Sequence, residues 1–402
     1  MKQENSGAKP GIPRLRAGKG VKGFLLAQAD GVIRGQGVRA SFDNARRAAA
    51  ALRDGTAGAV VGALPFDPRR PAALTEPERM TYTAGPWRPA ALPDLPAVRV
   101  VRERPDPAEH MTRVADLVER INDPDLPLRK VVAARSVLAE ADAELDVQVV
   151  AAHLLTRQPR ANVFAVDLSP AGRTGHTLVG ASPEVLVTRR GTAVTLHPLA
   201  GTLPRLADSD ADAAQAAELL ASTKNQDEHA FVIEWIRERL GPVCTELSVP
   251  DRPELVHTHE VWHLGTPIRG ILRDPVPSAL ELALLLHPTP AVCGTPTAAA
   301  LDTILELEED RGFYGGAVGW CDRQGDGVWV VAIRSAELAA DRRSLRAFAG
   351  GGIVAASEPQ AELDETTAKL RTLLGGLNCP IDTPAARLTR LSLPASKFGV
   401  PR

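Results

Sequence analysis

Two carboxylates and an ammonium stand ready for charge chemistry in one stretch. Glu362, Glu365 and Lys369 are spaced i, i+3 and i+7, which brings them to one face of a helix. Leu363, Leu370 and Leu374 form a separate apolar stripe. A solvated charged face is the bland alternative. Against it stands Gly350-Gly351-Gly352 just upstream, because consecutive glycines let a backbone approach something closely. A second helical stretch carries Lys224, Asp227, Glu228 and His229, followed by Phe231, Trp235 and Ile236. Two helices that each offer a carboxylate suit Mg²⁺, which takes few protein ligands and keeps its waters. Glu184 ends the turn Gly180-Ala181-Ser182-Pro183-Glu184. There it is either an exposed carboxylate or, if its surroundings keep it protonated, a general acid in a cleft.

Lysine usage adds a second pointer. Of 47 basic residues only eight are lysine, and between residues 23 and 396 these are Lys130, Lys224 and Lys369 alone. A buried ammonium can give up its proton near neutral pH, whereas a guanidinium cannot. His257, His259 and His263 would project from one side of a single strand, a pattern that can hold zinc. No HExxH or carboxylate cluster completes it, so a histidine that hydrogen-bonds substrate or core is the better reading. Ser182 is followed by proline, which excludes a nucleophile elbow. The glycines of 311–316 lack the Lys-Ser/Thr of a phosphate loop.

The elements that must position these groups follow from pattern. Residues 107–121 suit a helix with Met111, Val114, Leu117, Val118 and Ile121 on one face. Residues 130–135 read as a strand, and 161–196 as a meander turning at Arg189-Arg190-Gly191. A helical stretch over about 209–240, broken near Ser222, stops at Gly241-Pro242. Strands return at 254–263, 315–320, 328–337 and 345–349, and Pro296 opens a helix to about Glu308. Ser357-Glu358-Pro359-Gln360 predicts a capping box for a helix ending near Leu374. The proline-rich 65–98 reads as surface connection. Strands and helices without regular alternation predict an α+β fold with mainly antiparallel sheets.

Composition narrows the class. A chain of 402 residues needs no covalent staple, and its four cysteines are scattered without a CxxC. A net charge of −2 with no basic patch speaks against nucleic acid and anionic membranes. No run of about 18 apolar residues offers a membrane span, and the expected location is cytoplasmic. The expected organisation is a flexible tail at 1–20, one catalytic domain at 21–378 and a second tail at 379–402. Within that domain an N-terminal portion reaches about residue 100, and the motif-bearing core spans 107–376.

Ordered segments along this chain resemble the chorismate-utilising enzymes, and within them the isochorismate synthases. They are VVGALPFDP (60–68), KVVAAR (130–135), GASPEVLV (180–187), PLAGTLPR (198–205) and DEHAFV (227–232). They continue with VWHLGTPIRG (261–270), HPTPAVCGTP (287–296), RGFYGGAVGW (311–320), VVAIRSAE (330–337) and FAGGGIVAASEPQAELDETTAKL (348–370). The resemblance implies a two-sheet antiparallel β-sandwich flanked by helices and an Mg²⁺-dependent reaction on chorismate. Water would add at C2 of the ring while the C4 hydroxyl leaves. By motif position Lys130 would be the base and Glu184 the acid, with Glu228, Glu362 and Glu365 at the metal. Tyr314, Arg334, Lys369 and the backbone of Gly350 and Gly352 would hold the substrate carboxylates, while Gly201, Thr202, His263 and Ala291 line the pocket.

Departures from relatives are informative. Asn225 stands where relatives often carry an acid, which would weaken a contact behind the metal. Amine-forming relatives read GAPK where this chain has Gly294-Thr295-Pro296-Thr297, and they lack a lysine at position 130. Salicylate-forming relatives tend to place a threonine near Ala291. The resemblance therefore implies water as nucleophile, no glutaminase subunit and a monomer. The product would feed menaquinone, a catecholate siderophore or another aromatic metabolite. A salicylate- or amine-forming sister enzyme and a silent binding protein of the same fold are the alternatives.

Overall fold

A computed structural model describes residues 23–89, 92–258 and 260–380. The tail expected at 1–20, and all but the first two residues of that expected at 379–402, lie outside them. Strand alternation lays down the layers. Along Gly23–Ala27, Phe24 and Leu26 enter one apolar cluster while Leu25 and Ala27 enter another. Asn162–Asp167 divides the same way, Phe164 and Val166 against Val163 and Ala165. A period of two with both faces apolar is what a sheet covered on both sides requires.

A ten-stranded sheet and a nine-stranded sheet stack through the first of these clusters. Phe24, Ile33, Phe164 and Leu178 meet Val61, Val318, Trp320 and Val330 there. Helices Val147–Arg157 and Pro359–Gly376 cover the outside of the larger sheet through Val150, Leu154, Leu370 and Leu374. Helices Ala45–Arg53, Thr223–Leu240 and Ala279–Leu286 cover the outside of the other. A three-stranded sheet, Leu199–Pro204, Glu254–His257 and Val261–Gly265, stands beside the sandwich. Strand pairing among the described residues is antiparallel throughout. This is the α+β sandwich expected from the sequence.

Several local expectations change. Strands Ala73–Glu76 and Arg79–Ala84 lie inside the proline-rich stretch, whose Pro71 and Pro77 fall between strands rather than within them. The segment expected as one strand over 254–263 is a hairpin, with Val256 opposite His263 and His257 opposite Trp262. His257 is exposed and His263 buried, so they do not share a zinc-binding face; His259 lies outside the described residues. The segment 328–337 is two strands, Gly327–Val331 and Ser335–Leu338, one in each large sheet. No capping box forms at 357–360. Glu358 is the N-cap without a side-chain bond, because the Ser357 hydroxyl is turned to Glu362.

Candidate active site

The long helices end where the chemistry begins. Ser222 closes Ser209–Ala221 and caps Thr223–Leu240, its hydroxyl accepting from the Asn225 amide at 3.3 Å. That cap starts the helix so that Lys224 and Glu228 share one face. Pro359–Gly376 brings Glu362, Glu365 and Lys369 towards the strand Ser344–Ile353. Gly350, Gly351 and Gly352 lie within that strand, paired with Ala134, Ala133 and Val132. What approaches their bare backbone is carboxylate. A Cβ on Gly351 would stand 2.7 Å from Glu362 Oε2, and one on Gly352 would collide with Glu228 Oε1.

Each of the three mid-chain lysines takes one of the three carboxylates. Lys130 Nζ lies 3.0 Å from Glu228 Oε1. Lys224 Nζ lies 2.8 Å from Glu362 Oε1, and Lys369 Nζ lies 2.5 Å from Glu365 Oε1. Lys130 is wholly buried, and its contact with Glu228 lacks good hydrogen-bond angles. Burial alone would raise the Glu228 carboxyl, but Lys130, and then Lys369, hold it below the ordinary value. Burial, and then the neighbouring Glu365, push Glu362 up to about 7. Its Oε1 accepts from the Ser357 hydroxyl at 2.7 Å, while its buried Oε2 has no partner.

A pocket of about 60 Å³ opens beside these pairs. Its wall includes Glu184, Gly201, Thr202, Glu228, His263, Ala291, Tyr314, Arg334, Gly350, Gly352 and Lys369. Lys130 stands behind Glu228; Glu362 and Glu365 stand to the side, against Gly351. Glu184 is 3% exposed, which removes the reading of an exposed turn carboxylate. Burial pushes its carboxyl up to about 7, against the opposing pull of the Leu199 amide, Lys130, Arg334 and Lys369.

Arg334 has a left-handed backbone (φ 52) at the crossing between the two large sheets, a conformation non-glycine residues adopt sparingly. Its buried Nε has no partner, and its Nη2 lies 3.4 Å from His263 Nε2. Burial and the adjacent Arg334 hold His263 neutral. With Nε2 facing a guanidinium, the ring proton is assigned to Nδ1, which donates to Thr202 Oγ1 at 2.9 Å. Lys369 also donates to the Gly350 carbonyl at 2.9 Å. The Tyr314 ring stacks on Phe348 with centroids 5.1 Å apart. Arg334 thus presents an unsatisfied cation to the pocket, as a carboxylate-bearing ligand requires.

The residues fit a hard divalent cation in chemistry. Their oxygens are carboxylate, Glu362 Oε2 is an orphan buried acceptor, and the glycine strip leaves room. Among the described residues no three acidic, histidine or cysteine side chains converge as a ready cage. A site that relies on few carboxylates and leaves the remaining places to water does not need one.

Sequence reasoning missed Ser357, the serine of the expected capping box, and the lining residues Pro183, Ile333 and Phe348. Phe348 could have been suspected from its place two residues before the glycines. Asn225 does not face the carboxylates: its Oδ1 accepts from the Thr202 amide at 3.3 Å, bracing the small sheet. A larger open cleft of about 720 Å³ lies beyond Phe348, lined by Arg102, Arg104, Arg113 and Arg346 among others. It contains none of these carboxylate–lysine pairs.

The sequence profile described as chorismate binding enzyme matches residues 86–378. The Mycobacterium tuberculosis (strain ATCC 25618 / H37Rv) protein MenF is 50% identical over 361 residues, covering 88% of this chain and 95% of its own. The isochorismate synthase DhbC of Bacillus subtilis (strain 168) is 44% identical, covering 78% and 79%. Among solved structures, DhbC of Bacillus anthracis superposes with a TM-score of 0.81 at 38% identity, covering 88% and 96%. MenF, the menaquinone-specific isochorismate synthase of Escherichia coli, gives 0.75 at 25%, covering 89% and 90%. A pocket that presents Arg334 beside lysine-paired carboxylates, within a matching sandwich and a matching sequence, places this chain in the family of chorismate binding enzymes.

Proposed function

We propose that this protein is an isochorismate synthase, isomerising chorismate by adding water at C2 and expelling the C4 hydroxyl. The observation that carries the reading is a buried acid in the pocket wall with a buried lysine directly behind that wall. Lys130 is buried beside Glu228, and Glu184 keeps its proton up to about pH 7. Lys130, which acts as base only in its neutral form, takes a proton from the attacking water as its oxygen bonds to C2. The ring double bond shifts, the C4–O bond breaks, and Glu184 gives its proton to the departing hydroxide, which leaves as water. The base gains one proton and the acid loses one, so a proton returning from Lys130 to Glu184 resets the site.

Arg334 and Lys369 hold the substrate carboxylates, with Tyr314, His263, Thr202 and the backbone of Gly201, Gly350 and Gly352 shaping the wall. Ala291 adds only a methyl group, which favours release of isochorismate over a further elimination. Glu228 and Glu365 would hold Mg²⁺, with Glu362 behind them, and the ion would supply positive charge against a substrate carboxylate. A water-adding enzyme needs no glutaminase subunit, and we assign a monomer.

The test is incubation with chorismate and Mg²⁺, followed by chromatography. Isochorismate is expected, abolished by EDTA and restored by Mg²⁺. Stoichiometric pyruvate with salicylate, or an aminated ring on adding ammonia, would move the enzyme to a sister class. Full turnover in EDTA would remove the metal role.

A further inference from the structure

One buried carboxylate outside this chemistry joins the two walls of the pocket. Glu260 lies between strands Glu254–His257 and Val261–Gly265, its side chain 9% exposed. One of its oxygens accepts from Arg157 Nη2 at 2.9 Å. The other accepts from Gln158 Nε2 at 2.9 Å and from Thr372 Oγ1 at 3.2 Å. Arg157 and Gln158 end helix Val147–Arg157, and Thr372 lies in the last turns of Pro359–Gly376. Gly375 lets the guanidinium lie flat on that helix, since a Cβ there would stand 2.6 Å from Arg157 Cζ.

The hairpin held this way carries His263 and pairs with the strand of Gly201 and Thr202. The helix at the other end carries Glu362, Glu365 and Lys369. The apolar clusters that unite the sheets and helices include no residue of Glu254–His257 or Val261–Gly265. Val261 and Leu264 are buried where the small sheet packs on helices Ser209–Ala221 and Thr223–Leu240, and the Glu260 contacts add the polar link to the C-terminal helix. Glu260 also lends negative charge to Arg334, second only to Tyr314 among the groups that favour its charged form.

We propose that Glu260 is a positioning residue that clasps the small sheet against the C-terminal helix and so keeps the substrate pocket closed. The inference rests on the isochorismate synthase reading. Without the carboxylate, three buried or half-buried donors lose their acceptor and the small sheet loses its polar tie to the C-terminal helix, so it can part from that wall more often. A pocket assembled for only part of the time binds substrate more weakly by that fraction, so the loss falls on KM more than on kcat.

The experiment uses the full chain as Glu260→Ala, Arg157→Ala, their double variant, and the milder Thr372→Val. Steady-state kinetics with chorismate and Mg²⁺ are paired with amide hydrogen exchange. Glu260→Ala should raise KM at least ~10-fold with kcat within about threefold, and Thr372→Val should raise it roughly twofold. The double variant should be no worse than Glu260→Ala. Exchange should rise in 199–204 and 254–265 while the two large sheets stay protected. An unchanged KM in an active protein overturns the proposal. So does a parallel fall of KM-independent turnover and protection throughout the molecule, which marks general destabilisation. Wild-type protein that makes no isochorismate refutes the functional reading instead, and exchange in the small sheet then decides the clasp alone.

Discussion

Replacing Glu184 with glutamine should inactivate the enzyme and stabilise the fold in the same stroke. Glu184 is buried, and its carboxyl titrates near 7 instead of its ordinary 4.5. The folded chain therefore holds this proton more tightly than the unfolded chain. Between those two values the native state binds more protons, so stability falls as pH rises through the window. At about 1.4 kcal/mol per tenfold in the binding constant, the penalty is on the order of 1 kcal/mol at pH 5.5 and about 3 kcal/mol at pH 8. Glutamine keeps the shape and never ionises. In a domain larger than 250 residues each kcal/mol moves Tm by roughly 1–2 °C. Thermal melts in EDTA should show Glu184→Gln ahead by about 2 °C at pH 5.5 and about 4 °C at pH 8. Glu362 also titrates near 7 but does so in both proteins, and it cancels from the difference. Turnover should fall at least ~10²-fold, the scale of a lost proton donor. A stability gain independent of pH, or none at pH 8, would show that Glu184 is already ionised in the folded protein and unfit as the acid.

Two further substitutions probe the lysine side. Lys130→Arg should fail as completely as Lys130→Ala, each losing at least ~10² in turnover, because guanidinium cannot act as base near neutrality. Near-normal turnover by the arginine variant would reduce Lys130 to an electrostatic anchor. Gly352→Ala places a methyl 2.7 Å from Glu228 Cδ and 3.0 Å from Lys130 Cε. The flexible carboxylate must swing away, so turnover should drop on the order of 10² with Tm nearly unchanged, checked by kinetics and circular dichroism. Wild-type kinetics there would mean the Glu228–Lys130 contact is dispensable.

Local pattern carried much of the architecture. The i, i+3, i+7 spacing on Pro359–Gly376 and the apolar stripe of Leu363, Leu370 and Leu374 appear as expected. Ser222 divides two helices, as its sequence position suggested. The expected break near Gly191 is a hairpin whose glycine has φ 58. What local pattern could not supply was pairing across distance. Nothing in the neighbourhood of Lys224 announces Glu362, 138 residues away. Arg334 sits in an unbroken apolar-looking segment, and only its left-handed backbone divides that segment between two sheets. Ser357 has the sequence of a cap, yet a buried carboxylate five residues on competes for its hydroxyl and wins. The histidines shared a spacing, but a turn between them sent them to different strands.

The strand order of the larger sheet also sets a timetable for synthesis. Lys130–Ala141 lies between Val98–Arg104 and Ser344–Ile353, and Val131 pairs with Ile353. That partner emerges on the order of 200 residues later, which at roughly 5–20 residues per second means a wait of about 10–40 s. Meanwhile Val137 has only Val98–Arg104 beside it, and Val131, Val132, Ala133 and Ala134, all buried in the finished protein, have no partner strand, since Gly294–Thr295 on their other side also emerges late. An apolar strand with an open edge is a template for wrong pairing. Production in cells should therefore be limited by protection of this waiting edge, and slower growth temperatures or added chaperone should raise the soluble fraction more than any change at the pocket.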